Sequence, residues 1–309
     1  MKRYNYIKVF AGLSILLAAA CKTTKTPSMG EKLDLDTPLN TERTLLWQVS
    51  GNGLDKPSYI FGTMHLIHFE QYNMGANVEK KLKQADKLIM EVDLKKVDMM
   101  GLAQKALLAE GKTMKDYVSE DEYNRIQTFF NDSLGISPMI FNTAYAKMKP
   151  FFLDQLLIVQ FLDENPASYE SEFASIAEDE NIPTEGLETM EEQLAFLDNI
   201  PLEEQYAQLL ESIDSFNITR SEFKELSDAY ADNDLTSLSD MIEKEWETDT
   251  LYKSLLLTKR NIDWIPKLKK YFAEGSTFVA IGAGHLGGSE GIIAQLRKEG
   301  YKVDPISID

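Results

Sequence analysis

The sequence predicts a mixed α/β (α+β) protein: a central mixed sheet flanked by helices, with a large helical insertion between two strands that each end in Gly-x-x-His. Three observations lead there. Short apolar runs rich in β-branched and aromatic residues recur near both ends of the chain, as buried strands require. Most of the intervening sequence carries apolar residues at helical spacing. Finally, Tyr59-Ile60-Phe61-Gly62-Thr63-Met64-His65 and Phe278-Val279-Ala280-Ile281-Gly282-Ala283-Gly284-His285 share one pattern and hold two of the three histidines in 309 residues. A glycine at a strand end lets the backbone turn or approach a ligand closely, and in helix-covered sheets ligands gather at the carboxyl edge of the strands.

The amino-terminal segment reads separately. In residues 1–20, Lys2, Arg3 and Lys8 are followed by the apolar run Val9 to Leu17 and by Ala18-Ala19-Ala20, which is the pattern of a secretory signal. The run ends on Cys21, the single cysteine, so the segment resembles a bacterial lipoprotein signal. Lipidated Cys21 is then expected to anchor the protein to a membrane of the cell envelope. Residues 21–42, with Lys, Thr and Pro and few apolar anchors, read as a flexible tether, and residues 43–309 as the folded domain. One cysteine allows no internal disulfide. The net charge of −18 disfavours nucleic acid and anionic lipid surfaces as partners, so attachment to a membrane rests on the lipid alone.

Taken in order, Leu45 to Ser50 and Ser58 to Thr63 read as two strands of a hairpin around Gly51-Asn52-Gly53. Asn77 to Asp86 has helical spacing, and Lys87 to Leu94 reads as a strand that puts Glu91 and Asp93 on one face. A carboxylate in an apolar strand is costly to bury unless paired or coordinated. Met99 to Ser133 is helical with a break near Gly111 and a capping box at Ser119 and Glu122. Helices interrupted at Pro150 fill Pro138 to Asp163, and Tyr169 to Asp179 is one more. A short strand, Pro183 to Leu187, leads to the capping box Thr189-Met190-Glu191-Glu192, which sets Glu188 at a strand-to-helix corner. Glu203 to Phe216, Ser221 to Tyr230, Leu235 to Glu245 and Tyr252 to Phe272 are amphipathic helices, the last containing Pro266. Thr277 to Ile281 is the second motif strand, followed by a helix over Ser289 to Glu299 and a strand over Lys302 to Ile308, an order that fits a parallel βαβ unit.

Two histidines and an acid form the smallest set that commonly holds a catalytic divalent ion, zinc, manganese or cobalt, and a bound ion of this kind serves hydrolysis at neutral pH. His68 lies three residues from His65, but no zincin helix surrounds them, so His68 reads as peripheral. There is no Walker A loop. Gly282 to Gly287 matches the dinucleotide fingerprint, but with almost no chain left to build a Rossmann sheet.

The residues resemble the TraB/GumN family, also grouped with PrgY, from about Arg43 to the end. The resemblance lies in Leu46-Trp47, Ile60 to His65, Met90-Glu91-Val92-Asp93, Tyr169 to Phe173, Gly186-Leu187-Glu188-Thr189 with Glu191-Glu192-Gln193, Leu257 to Asn261, Gly282 to Leu286 and Gly300 to Val303. It implies a mixed sheet with a large helical insertion, and a distant relationship to TIKI metalloproteases and to ChaN-like and erythromycin-esterase-like proteins. Carried over by position, it implies His65, Glu91 and His285 as the metal-binding set and Glu91, Glu170, Glu188, Arg260 and Asn261 as catalytic polar residues.

The expectation is a lipid-anchored metal-dependent hydrolase, a peptidase or amidase, acting on a peptide or small-molecule substrate. The alternative is a non-catalytic lipoprotein that uses the same pocket to bind a peptide signal or non-covalent haem. A third is a structural lipoprotein whose histidines brace strand ends.

Overall fold

In the computed structural model, which describes residues 43–246 and 253–309, six strands form one sheet in the order β4-β3-β5-β2-β1-β6. The signal segment, the tether with Cys21, and Tyr252 at the head of a predicted helix lie outside the described residues. β1 (Leu46–Ser50) and β2 (Ser58–Thr63) form the expected antiparallel hairpin, Leu46 opposite Phe61. Its reversal is made by Gly51, Asn52 and Gly53, all at positive φ, where glycine and asparagine are tolerated.

β3 (Lys87–Val92), β4 (Thr184–Glu188) and β5 (Thr277–Gly282) join β2 in a parallel block: β4 pairs with β3, β3 with β5, and β5 with β2. Four neighbouring strands therefore end at one edge, and the candidate site residues of the strands and their following turns collect there. Across the β2–β5 ladder, Thr63 faces Gly282 and Gly62 faces Ile281. Parallel strands need both faces covered, and β2, β3 and β5 supply near-continuous buried runs such as Tyr59-Ile60-Phe61 and Phe278 to Ile281.

The final strand differs from expectation. β6 (Lys302–Ile306) runs in the direction of β5 but is not its neighbour, because β2 and β3 already occupy both edges of β5; β6 pairs antiparallel with the free edge of β1 instead. The helix before it is also shorter than predicted, Ile292–Lys298, since Gly288 at φ +75° and Gly291 at the N-cap hold residues 287–291 in a turn. Asp93 lies beyond the end of β3. It is buried, caps the turn Leu94–Lys96 and pairs with Thr184 and Lys96, away from the contacts that Glu91 makes. Pro150 starts its helix (Pro150–Val159, N1) where an interruption was expected, consistent with its preset φ. Pro266 sits within Lys259–Glu274 without ending it; the carbonyl it leaves unpaired belongs to exposed Ile262.

Some of the helices between β3 and β4 and between β4 and β5 cover the sheet, while others pack around a further core, in which Phe130, Phe141, Leu153, Tyr206 and Leu209 come together. Asp154 is buried beside it. Burial raises its carboxyl to about 6, above the ordinary 3.8, against the opposing hydrogen bond with Ser212. A carboxyl raised on folding favours the protonated folded state, so stability declines as pH rises from the unfolded value through the folded one. Asp154→Asn is therefore expected to stabilise by on the order of 2 kcal/mol at about pH 8 and by little at about pH 4, read as melting temperatures at the two pH values. A gain of equal size at both would remove the titration argument.

Candidate functional site

The site is built at the carboxyl ends of β2, β3, β4 and β5. After β2 the chain runs through His65 to Ile67, which bridges Ala167 in antiparallel fashion. That bridge delivers the first turn of the helix Tyr169–Asp179 to His65. Glu170, in this turn, accepts from His65 Nδ1 at 2.7 Å and from Thr63 Oγ1 at 2.6 Å. The helix N-terminus favours its negative charge. With Nδ1–H committed to Glu170, His65 presents Nε2 as a buried atom without a hydrogen-bond partner.

His285 follows β5 in the turn Ala283–His285 and is fully buried. Its Nδ1–H donates to Asn261 Oδ1 at 2.7 Å, and Asn261 in turn donates through Nδ2 to the Glu290 carbonyl at 3.0 Å. The two histidines are thus oriented in the same way, each by a side-chain oxygen on Nδ1, leaving Nε2 toward the site. Glu91 lies between them. Its Oε1 accepts from the Gly282 amide at 2.8 Å and stands 3.7 Å from His285 Nε2; its Oε2 accepts from Gln193 at 3.2 Å and from Arg260 Nη2.

Arg260 links the remaining residues. Its Nε and Nη2 donate to Glu188 Oε1 at 3.0 and 2.6 Å, and its Nη1 donates to the Leu256 carbonyl at 3.0 Å and approaches His285 Nε2 at 3.2 Å. Arg260 and Asn261 come one residue after a π-helical turn, Ser254–Thr258, a local widening common near functional residues. Trp264, one turn on, lies 4.7 Å under the guanidinium and 4.5 Å from the His285 ring.

All seven sequence-derived site residues are therefore brought into one buried cluster: His65, Glu91, Glu170, Glu188, Arg260, Asn261 and His285. His68 stays outside it, paired with Asp163 at 2.9 Å and partly exposed. Thr63, Gln193 and Trp264 also belong to the cluster, although sequence reasoning did not single them out. Trp264 was detectable, being four residues from Arg260 and three from Asn261 on one helix face.

The motif glycines have distinct local reasons. A Cβ on Gly282 would lie 3.2 Å from Glu91 Oε1, 3.7 Å from His285 Cδ2 and 3.9 Å from His65 Nε2, so the bare backbone passes among all three. A Cβ on Gly62 would meet Leu286 Cδ1 at 2.7 Å and Ala283 Cα at 3.1 Å, so this glycine lets the two motif turns pack on each other.

Electrostatics separate the groups. Burial alone would raise the Glu91 carboxyl, but Arg260, the histidines and the Gly282 amide hold it down at about 2. Burial opposes charge on His65 as well, yet Glu170 and then Glu91 outweigh it and hold its pKa up at about 9. His285 goes the other way: burial, with Arg260 adding to it against Glu91, lowers it to about 3 and keeps it neutral. Burial raises Glu188 despite its contact with Arg260.

The donor chemistry of His65 Nε2, His285 Nε2 and Glu91 suits a divalent ion, and His65 Nε2 is the unpartnered buried atom such a ligand would leave. Among the described residues, however, no group of three such side chains stands arranged to hold an ion, and Arg260 is engaged with two of these three donors. An ion would have to take its place against them. No helix of the described residues is long and apolar enough to cross a membrane.

A small cavity of about 50 Å³ opens beside His65. No solved structure matches the chain. Two relatives, both called uncharacterized protein YbaP, come from Shigella flexneri and Escherichia coli strain K12. Each is 24% identical, over 249 and 245 residues, covering 79% and 77% of this chain and 89% and 87% of their own. The sequence model of the TraB/PrgY/gumN family matches residues 45–305, which takes in every residue of the cluster, and the chain belongs to that family.

Proposed function

We propose that this protein is a metal-dependent hydrolase that cleaves a peptide or similar amide and is held at a membrane of the cell envelope through lipidated Cys21. The observation that supports this reading is the pair of histidines at the sheet's carboxyl edge, each fixed through Nδ1, with His285 Nε2 3.7 Å from Glu91 and His65 Nε2 buried without a partner. His65, His285 and Glu91 would hold the ion. When bound, such an ion supplies Lewis-acid polarisation of a carbonyl.

The chain's own groups then divide the work. Glu170 and Asn261 each hold an imidazole through its Nδ1–H, so that Nε2 is the nitrogen left to meet an ion. Glu188, whose carboxyl burial has raised, is the group suited to take up and return a proton. Arg260 offers fixed positive charge to an oxygen that becomes negative as the carbonyl is attacked.

The test is metal content and peptide hydrolysis by the purified chain beside His65→Ala and His285→Ala. Each variant is expected to lose bound metal and about a hundredfold or more of hydrolysis. Equal metal content and unchanged hydrolysis in all three would sink the reading. A second reading, capture of a peptide signal or haem without turnover, draws on the engagement of Arg260 with two of the three donors. A haem absorbance band, or tight peptide retention with no cleavage, would favour it.

A further inference from the structure

We propose that the cavity beside His65 is a subsite for one branched aliphatic side chain, of leucine size, next to the amide that the site handles. The proposal rests on the reading of this site as one that acts on an amide. Its walls include Leu226, Tyr230, Leu238, Ile242 and Trp246, together with His65. None of its lining residues carries a formal charge at Asp, Glu, Lys or Arg, although the chain's net charge is −18. A lysine or arginine side chain placed there would lose its hydration without gaining a counter-ion.

Size narrows the occupant further. A water-sized group needs roughly 10–15 Å³ of such space, so a cavity of about 50 Å³ accepts about four heavy atoms. That suits the isobutyl group of leucine and is too small for an aromatic ring.

Two polar atoms give the cavity direction. His65 Nε2 and Trp246 Nε1 are both buried without a hydrogen-bond partner, and both residues line this cavity. An unpaired buried indole N–H is costly unless a ligand satisfies it. A carbonyl beside the aliphatic group would accept from Trp246, which fits an amide and not a simple hydrocarbon. The Tyr230 hydroxyl is already committed, donating to the Gly62 carbonyl at 2.9 Å, and so fixes the wall to the motif turn.

The experiment uses the N-acetyl, N-methylamide derivatives of leucine, phenylalanine and lysine, with binding read by ligand-observed saturation-transfer NMR on the full chain. The leucine amide is expected to bind about tenfold or more tighter than the other two. Ile242→Ala should bring the phenylalanine amide to or above the leucine amide, and Trp246→Phe should weaken all three by several-fold without changing their order. Equal binding of the three amides to the wild-type protein, or an Ile242→Ala variant with an unaltered ranking, would overturn the proposal. Because the wild-type ranking decides by itself, a variant that fails to fold does not protect the proposal. Binding is read without turnover, so a leucine preference with no hydrolysis removes the hydrolase reading and leaves the subsite, whereas hydrolysis without side-chain preference removes the subsite alone.

Discussion

Glu91→Gln is expected to lower peptide hydrolysis by about a thousandfold or more while the protein still folds. The amide keeps the shape of the side chain and an oxygen for the Gly282 N–H, so the connection between β3 and β5 is preserved. What disappears is the negative charge lying between His65, His285 and Arg260. Arg260 retains Glu188 as its partner, which limits the structural cost. The activity measurement therefore needs a melting curve beside it: a large loss of turnover with a small change in melting temperature assigns Glu91 to the reacting centre. Turnover within tenfold of wild type would remove it from that centre.

The second large effect falls on stability. Arg260 is buried and pairs with two carboxylates that are themselves buried. Arg260→Met keeps much of the apolar stem but strands Glu91 and Glu188 without a cation. Breaking a buried charge pair from one side typically costs about 3–5 kcal/mol, which in a domain of this size lowers the melting temperature by about 10 °C. Adding Glu188→Gln to Arg260→Met should return more than about 1 kcal/mol, because the amide carries no charge in need of a partner. A single variant melting within about 2 °C of wild type would mean that the network contributes no stability of this kind.

Much of this arrangement could be read from the chain itself. The β-branched and aromatic runs of β2 and β5 are continuous enough to be recognised as buried strands, and their glycine ends marked where histidine would emerge. Pairing between distant segments was less accessible. The partner of β6 depends on which sheet edge remains free, a fact held by β2 and β3 and not by Lys302 to Ile306. Similarly, Arg260 and Asn261 were reached only through the family resemblance, and the ion pair with Glu91 crosses 169 residues of sequence. Leu238, Ile242 and Trp246 recur every fourth residue and so read as core. That spacing establishes burial against something, and whether the other side is protein or a cavity is decided by helices elsewhere.

The register between β2 and β5 has one more consequence. Thr63, not Gly62, stands opposite Gly282, so the two motif copies are staggered by one residue. A one-residue stagger turns equivalent positions to opposite faces of the sheet, and the surroundings of the glycines agree: Gly62 faces Leu286 and Ala283, whereas Gly282 faces Glu91 and both histidines. The resemblance between the copies is thus a likeness of lettering without a matching symmetry in space. Neither turn is a spare for the other: Thr63 at the end of β2 donates to Glu170, whereas Ala283 after β5 packs against Gly62.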